Sequence, residues 1–376
     1  MKLSLAIDVL VLVPLVCVAP ATAAQPMILH SFTSGNGFDS FLVSGSVIYG
    51  STDSGAAYGY GSVYKMGLDG SQFNTIHSFS SADQAVIGNG IALDGSTIYG
   101  STALSGTGGC GPVYKINTDG TGYQVLHSFV HGSGDGETVY SRLAMTDARL
   151  FGTAVIGGTN NSGIVFSLNK DGSDYQILHS FTGGTDGYMP YAGPVVSGSS
   201  LYGQTVSSVF KMNLDGTGYE VLKSGIGGLG KVTVDGSILY GIAGNKVYRM
   251  DTDGSDYQVL YNLDGDSQSG LALVGSQLYG MTWQGGDFNQ GSIFRINTDG
   301  SDFRRLYSFS GGSNGYGPIC DPVVIDNVLY GSARGGPSNG SFLFAMAVPE
   351  PSSLVLLSLG AVAVVAFAHS RRGRAR

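Results

Sequence analysis

Four histidines, His30, His77, His127 and His179, are the side chains of this chain best suited by type to hold a metal or move a proton. Each stands before a Ser-Phe pair in a version of the phrase Leu-His-Ser-Phe, so all four occupy one slot of a repeated unit. A repeat spreads one slot around the molecule instead of converging its copies on one ion. The slot is therefore read as structural, and neither a metal nor another cofactor is expected. The turns Asn169-Lys170-Asp171-Gly172-Ser173-Asp174 and Asp251-Thr252-Asp253-Gly254-Ser255-Asp256 resemble the start of a calcium loop. They lack its third oxygen ligand before the Gly and its distal bidentate Glu, and Asp-Gly between two strands is already accounted for as a hairpin turn.

Catalytic patterns are missing. There is no His-Glu-x-x-His helix or Cys-x-x-Cys pair, and Glu occurs only at 137, 220 and 350. Asp pairs could serve a glycosidase or lyase, but no spacing places two of them together. The better clue is aromatic. Long loops carry Asp53, Tyr58, Tyr60, Trp283, Asp287 and Phe288, and the connections between repeats add Asp186, Tyr188, Tyr191, Asn314 and Tyr316. Aromatic faces beside Asp and Asn can stack on sugar rings and bond their hydroxyls. Tyr188, Tyr191, Trp283, Asp287 and Tyr316 are the candidate ligand-binding residues.

These residues hang on a repeat. A Tyr-Gly pair (Phe-Gly once) recurs at Tyr49, Tyr99, Phe151, Tyr202, Tyr240, Tyr279 and Tyr330, with steps of 50, 52, 51, 38, 39 and 51 residues. Asp-Gly turns follow at Asp69, Asp119, Asp171, Asp215, Asp253 and Asp299. Steps of this length fit propeller blades. Short stretches that alternate apolar and polar residues between Gly, Asn and Asp predict four strands per repeat, exemplified by 194–197, 200–203, 208–212 and 219–222. The 61 Gly and 21 Tyr among 376 residues suit many short strands and tight turns.

Seven Tyr-Gly pairs meet only six Asp-Gly turns with their closing strand. The seventh closing strand is Met27 to Phe32, at the other end of the chain. It is expected to pair with the strand 341–346, closing a seven-bladed, all-β propeller. The gap from Tyr-Gly to the next strand is 14 residues in blade one (63 − 49) and blade two (113 − 99) but 7 in blade four (209 − 202) and blade five (247 − 240). These loops and the inter-blade connections should share one face, leaving its rim low over blades four and five.

The repeat resembles the GloVer tandem-repeat family of exported bacterial proteins, which carry a choice of anchoring signals. The matching phrases are Leu239-Tyr240-Gly241, Gly291-Ser292-Ile293-Phe294 and the run Asn117 to Phe129, with a resemblance extending over about residues 27–346. Leu222-Lys223-Ser224 and Leu260-Tyr261-Asn262 depart from the Leu-His-Ser pattern. The resemblance brings no activity with it.

Both termini are addresses. Lys2, an apolar run from Leu3 to Val18 and then Ala21-Thr22-Ala23 read as a secretory signal, residues 1–23, for signal peptidase. The repeat domain is expected over 24–347. After it come Pro349-Glu350-Pro351, an apolar stretch from Leu354 to Ala368 and an Arg-rich end, spanning 348–376. Fifteen residues give about 22 Å of helix, short of a bilayer core of about 30 Å unless the flanks contribute. The arginines predict a cytoplasmic end with the repeats outside. The pattern closely resembles the PEP-CTERM sorting signal of Gram-negative bacteria, which implies exosortase as processing partner, a transient stay in the inner membrane and delivery to the cell surface or matrix.

A net charge of −8 argues against nucleic acid. Once the leader is removed only Cys110 and Cys320 remain, in non-adjacent repeats, so the ring must rely on packing. The reading is a non-catalytic binding or structural propeller, with extracellular polysaccharide as a candidate partner. The alternative is a polysaccharide-active enzyme, which would need an acidic pair over the ring opening.

Overall fold

The computed structural model describes residues 24–348 apart from 34–39, 81–82, 84–85, 105–108, 133, 141, 319 and 339. The expected leader and the Pro349-Glu350-Pro351 tail with its helix lie outside the described residues. The rest is β-structure, with the one-turn 3-10 helix Gly312–Asn314 in the last connection.

The Tyr-Gly pair recurs for a packing reason. In every blade its Gly lies opposite the aromatic residue of the neighbouring strand: Gly50 faces Tyr64, Gly100 faces Tyr114, Gly152 faces Phe166, and so on to Gly331 and Phe344. The ring lies flat across the glycine. A Cβ on Gly100 would come within 2.3 Å of the Tyr114 ring. Both rings named for blades one and two are fully buried. One motif thus specifies a strand pair and fixes its register, since a one-residue slip would turn the ring to the other face.

Seven four-stranded antiparallel sheets follow. In blade four the strands are Val195–Ser197, Ser200–Gln204, Ser208–Asn213 and Glu220–Ser224, in that order from the axis outward. Blade seven is completed as expected: Met27–Phe32 pairs with Gly340–Ala347, with Met27 opposite Ala345 and Phe32 opposite Ser341. The edges that two ends of an open arc would expose are joined. Apolar clusters fill the seams between blades, for example Phe151 and Val165 of blade three against Leu201, Phe210 and Met212 of blade four.

The histidine slot clasps blades together. His77 of blade one stacks on Tyr123 of blade two, His127 on Tyr175 and His179 on Tyr219, with centroids 3.7–4.7 Å apart. His30 on the closing strand makes the same contact with Phe73 of blade one. In blades four and five, where Lys and Tyr replace the histidine, the contact is kept: Lys223 sits 4.9 Å over the ring of Tyr257, and Tyr261 stacks on Phe303 at 3.7 Å. Their outer strands, Glu220–Ser224 and Gln258–Asn262, form as in the other blades.

Candidate functional site: the axial cavity

The loop between the second and third strands of a blade bonds to the connection that enters that blade. Val155 N–H donates to the Thr138 carbonyl, Val206 N–H to Tyr188 and Trp283 N–H to Asp266, while Tyr316 and Arg334 exchange backbone bonds. Loops and connections therefore share one face, and the loops of blades four and five are short, running only from Gln204 to Ser208 and from Ala243 to Lys246.

On the axis lies a cavity of about 660 Å³ to which all seven blades contribute. Its charged groups come from one position of the repeat, nine residues before the Tyr or Phe of each Tyr-Gly pair. That position reads Ser40, Gly90, Arg142, Gly193, Lys231, Gly270 and Asp321 around the ring. It begins the innermost strand or lies just ahead of it in six blades and lies within Val86–Asp94 in blade two, so its copies converge on the axis.

Glycine at this position lets charged neighbours reach over a blade. Gly270 of blade six separates Lys231 of blade five from Asp321 of blade seven, and a Cβ on it would lie 2.8 Å from the Lys231 carbonyl oxygen and 2.9 Å from the Asp321 carboxylate. With that space open, Lys231 Nζ stands 3.3 Å from Asp321 Oδ2, and Gly270 N–H donates to Oδ1 at 2.6 Å. On the other side Arg142 of blade three passes over Gly90 of blade two and donates to the Phe41 carbonyl and Ser40 Oγ of blade one. Burial works to raise the Asp321 pKa, but Lys231, Arg142 and the Gly270 N–H outweigh it and hold the carboxyl below its ordinary range. Tyr140 and Tyr191 stack beside these groups, centroids 6.1 Å apart, and burial followed by the neighbouring Tyr191 pushes the Tyr140 phenol up. Gln268 adds an amide. Two cations against one carboxylate give the cavity a positive balance in a chain of net charge −8.

Of the five residues expected from sequence, Tyr191 lines this cavity. Trp283 and Tyr316 meet elsewhere, around Arg334, whose guanidinium lies 4.5 Å from the Trp283 ring centre and whose backbone pairs with Tyr316. Tyr188 is exposed on the connection into blade four. Asp287 lies at the outer edge of blade six, held by Arg305 at 2.8 Å and Ser308 at 3.0 Å. The five do not form one site. Sequence reasoning missed Tyr140, Arg142, Lys231, Gln268 and Asp321. Aligning the seven Tyr-Gly pairs and reading the ninth residue before each would have found the three charges, as departures from Gly or Ser.

The calcium-like turns are occupied internally. Asp171 Oδ1 accepts the backbone N–H and hydroxyl of Ser173, and Asp253 Oδ1 does the same with Ser255. These hydrogen bonds, the side-chain ones foremost, hold both carboxyls below the usual range.

Solved structures of similar shape share the fold at low identity. The oligogalacturonate lyase of Vibrio parahaemolyticus has 14% identity over 86% of this chain and 93% of its own, with a TM-score of 0.60. An oligogalacturonate lyase in complex with manganese has 13% identity over 88% and 94%, with a TM-score of 0.59. The extracellular domain of a hybrid two-component system from B. thetaiotaomicron has 11% identity over 85% of this chain and 39% of its own, with a TM-score of 0.60. No curated protein matches the sequence. Residues 347–372 match the PEP-CTERM protein-sorting motif, which implies export through exosortase to the cell surface. Residues 18–213 match the Gloeobacter/Verrucomicrobia repeat, ending just before the first departure at Lys223. With more than half its length matched, the chain belongs to the Gloeobacter/Verrucomicrobia repeat family.

Proposed function

We propose that this exported repeat protein is a non-catalytic binding module of the cell surface or matrix, and that its axial cavity receives an acidic sugar unit of an extracellular polysaccharide. The observation that carries the reading is the pairing of Arg142 and Lys231 with the stacked Tyr140 and Tyr191 in one cavity. Guanidinium and ammonium groups suit a uronate carboxylate, and tyrosine faces suit the pyranose ring. Hydrolysis of a glycosidic bond generally uses two carboxyl groups about 5 to 9.5 Å apart. Among the described residues that line the cavity, Asp321 is the one carboxylate, and it is engaged by Lys231. In this reading residues 1–23 are removed on export, the 348–376 segment holds the chain in the inner membrane of a Gram-negative cell until exosortase acts, and 24–347 is the displayed domain.

A second reading, a lyase for an acidic polysaccharide, draws on the same cations. Neutralising a uronate carboxylate acidifies the neighbouring C–H, which a basic side chain could then remove. One experiment separates the two. The purified chain is presented with an array of neutral and acidic glycans, and bound glycans are incubated with it and analysed for shortened or unsaturated products. Retention of acidic glycans without products, lost in R142A/K231M, supports the binding module. Product formation that disappears in the double variant replaces it with the lyase, and indifference to acidic glycans sinks both.

A further inference from the structure

Away from the axis, at the seam of blades two and three, three residues of different donor chemistry come together. Cys110 lies near the start of strand Gly109–Asn117, where irregular pairing between Gly109 and Pro112 takes it out of the regular ladder. His131 follows the outer strand Gln124–Val130. Glu137 belongs to the two-residue strand Gly136–Glu137, which pairs with Ile156–Gly157 of blade three. The thiol, an imidazole nitrogen and a carboxylate oxygen of these residues all lie within 4.8 Å of one another. None of them belongs to the histidine slot or to the axial cavity.

We propose that Cys110, His131 and Glu137 bind a divalent transition-metal ion of the zinc type. Thiolate, imidazole and carboxylate together are the donor set of a borderline-soft cation and not of calcium or magnesium. His131 Nδ1 and Glu137 Oε2 are already 2.8 Å apart and share a proton that a metal would replace. The other carboxylate oxygen accepts the Gly132 N–H at 3.1 Å, which orients Oε2 toward the group. Tetrahedral zinc places its ligand atoms about 3.5 Å apart, so His131 and Glu137 must part slightly while the widest separation in the group shortens by roughly an ångström. His131 has that freedom because its side chain is 78% exposed.

The carboxylates of Glu137 and Asp135 act electrostatically on the thiol and favour a cation beside it. A bound dication releases the thiol proton on binding. The fourth position would face the shallow cavity of about 560 Å³ beside His131 and Glu137, leaving room for water. Such an ion would tie the connection between blades two and three to the body of blade two.

The test uses the whole untagged chain in detergent, with zinc alone measured by competition against a chromophoric chelator and cobalt as a spectroscopic stand-in. Expected are one tight zinc per chain, a cobalt complex with a thiolate charge-transfer band, and a melting temperature that rises with zinc. C110S should abolish the band. H131A alters an exposed side chain and should not disturb folding; it should weaken zinc at least tenfold and remove the thermal shift. Failure of the wild type to bind one equivalent, a cobalt spectrum without the thiolate band, or unchanged zinc affinity in folded H131A would overturn the assignment.

Discussion

The imidazole of His30 lies parallel to the ring of Phe73, with centroids 3.9 Å apart and planes 4° from coplanar, and joins blade seven, which His30 helps to complete, to blade one. The closing strand thus makes the aromatic clasp found between internal blades, as well as its backbone pairing with Gly340–Ala347. Deleting Met27 to Phe32 should remove both. The melting temperature should then fall sharply, and the bared edge of blade seven should drive self-association. H30A alone should cost about 1 kcal/mol, the worth of an aromatic pair. Calorimetry and light scattering check both; a truncated chain that melts as the intact one does and stays monomeric would refute closure.

The same histidine predicts acid sensitivity. Burial holds His30 below the ordinary imidazole value of 6.5, and burial also outweighs Asp186 to lower His179. A depressed pKa means that the unfolded chain takes up protons first as pH falls. The stability from these neutral rings is complete above about pH 6.5 and is lost as pH drops through their lowered folded values. Melting temperature should decline as pH falls below about 6.5, and H30F, which keeps a ring on Phe73, should flatten part of the slope. An unchanged slope in H30F would assign the effect elsewhere.

The contact of Gly100 with Tyr114 predicts strong coupling. A Cβ at position 100 meets the fully buried ring at 2.3 Å, so G100A should cost at least about 2 kcal/mol through overpacking. Y114A loses a buried aromatic and should cost about 3 kcal/mol or more. Because the strain needs both groups, the double variant should lose clearly less than the sum. Urea midpoints for the four chains decide it, and simple additivity would show that the ring does not lie on the glycine.

Replacing Pro349-Glu350-Pro351 with alanines should leave export intact but stop processing. The full-length chain should accumulate in the inner membrane, as read by fractionation and immunoblotting. Ordinary surface delivery of this variant would make the motif incidental.

Seven blades, the strand borrowed from the N-terminus and the C-terminal address could all be read from the sequence, because each is specified within a single repeat or a single terminus. Tyr-Gly, its facing aromatic and the Asp-Gly turn are at most a few tens of residues apart, and strand pairing within a blade is local. Distance from the axis is not local. Equivalent residues at the outer edge, such as His77, His127 and His179, are carried apart around the ring, whereas equivalents at the inner end, such as Arg142, Lys231 and Asp321, are brought together from 90 residues apart (231 − 142 = 89; 321 − 231 = 90). Both kinds occupy one fixed slot of the repeat, so only the closed ring decided which copies meet. The tertiary structure alone likewise separated Tyr191 from Trp283, Asp287 and Tyr316, since a loop's composition does not say whether it leans toward the channel or the rim.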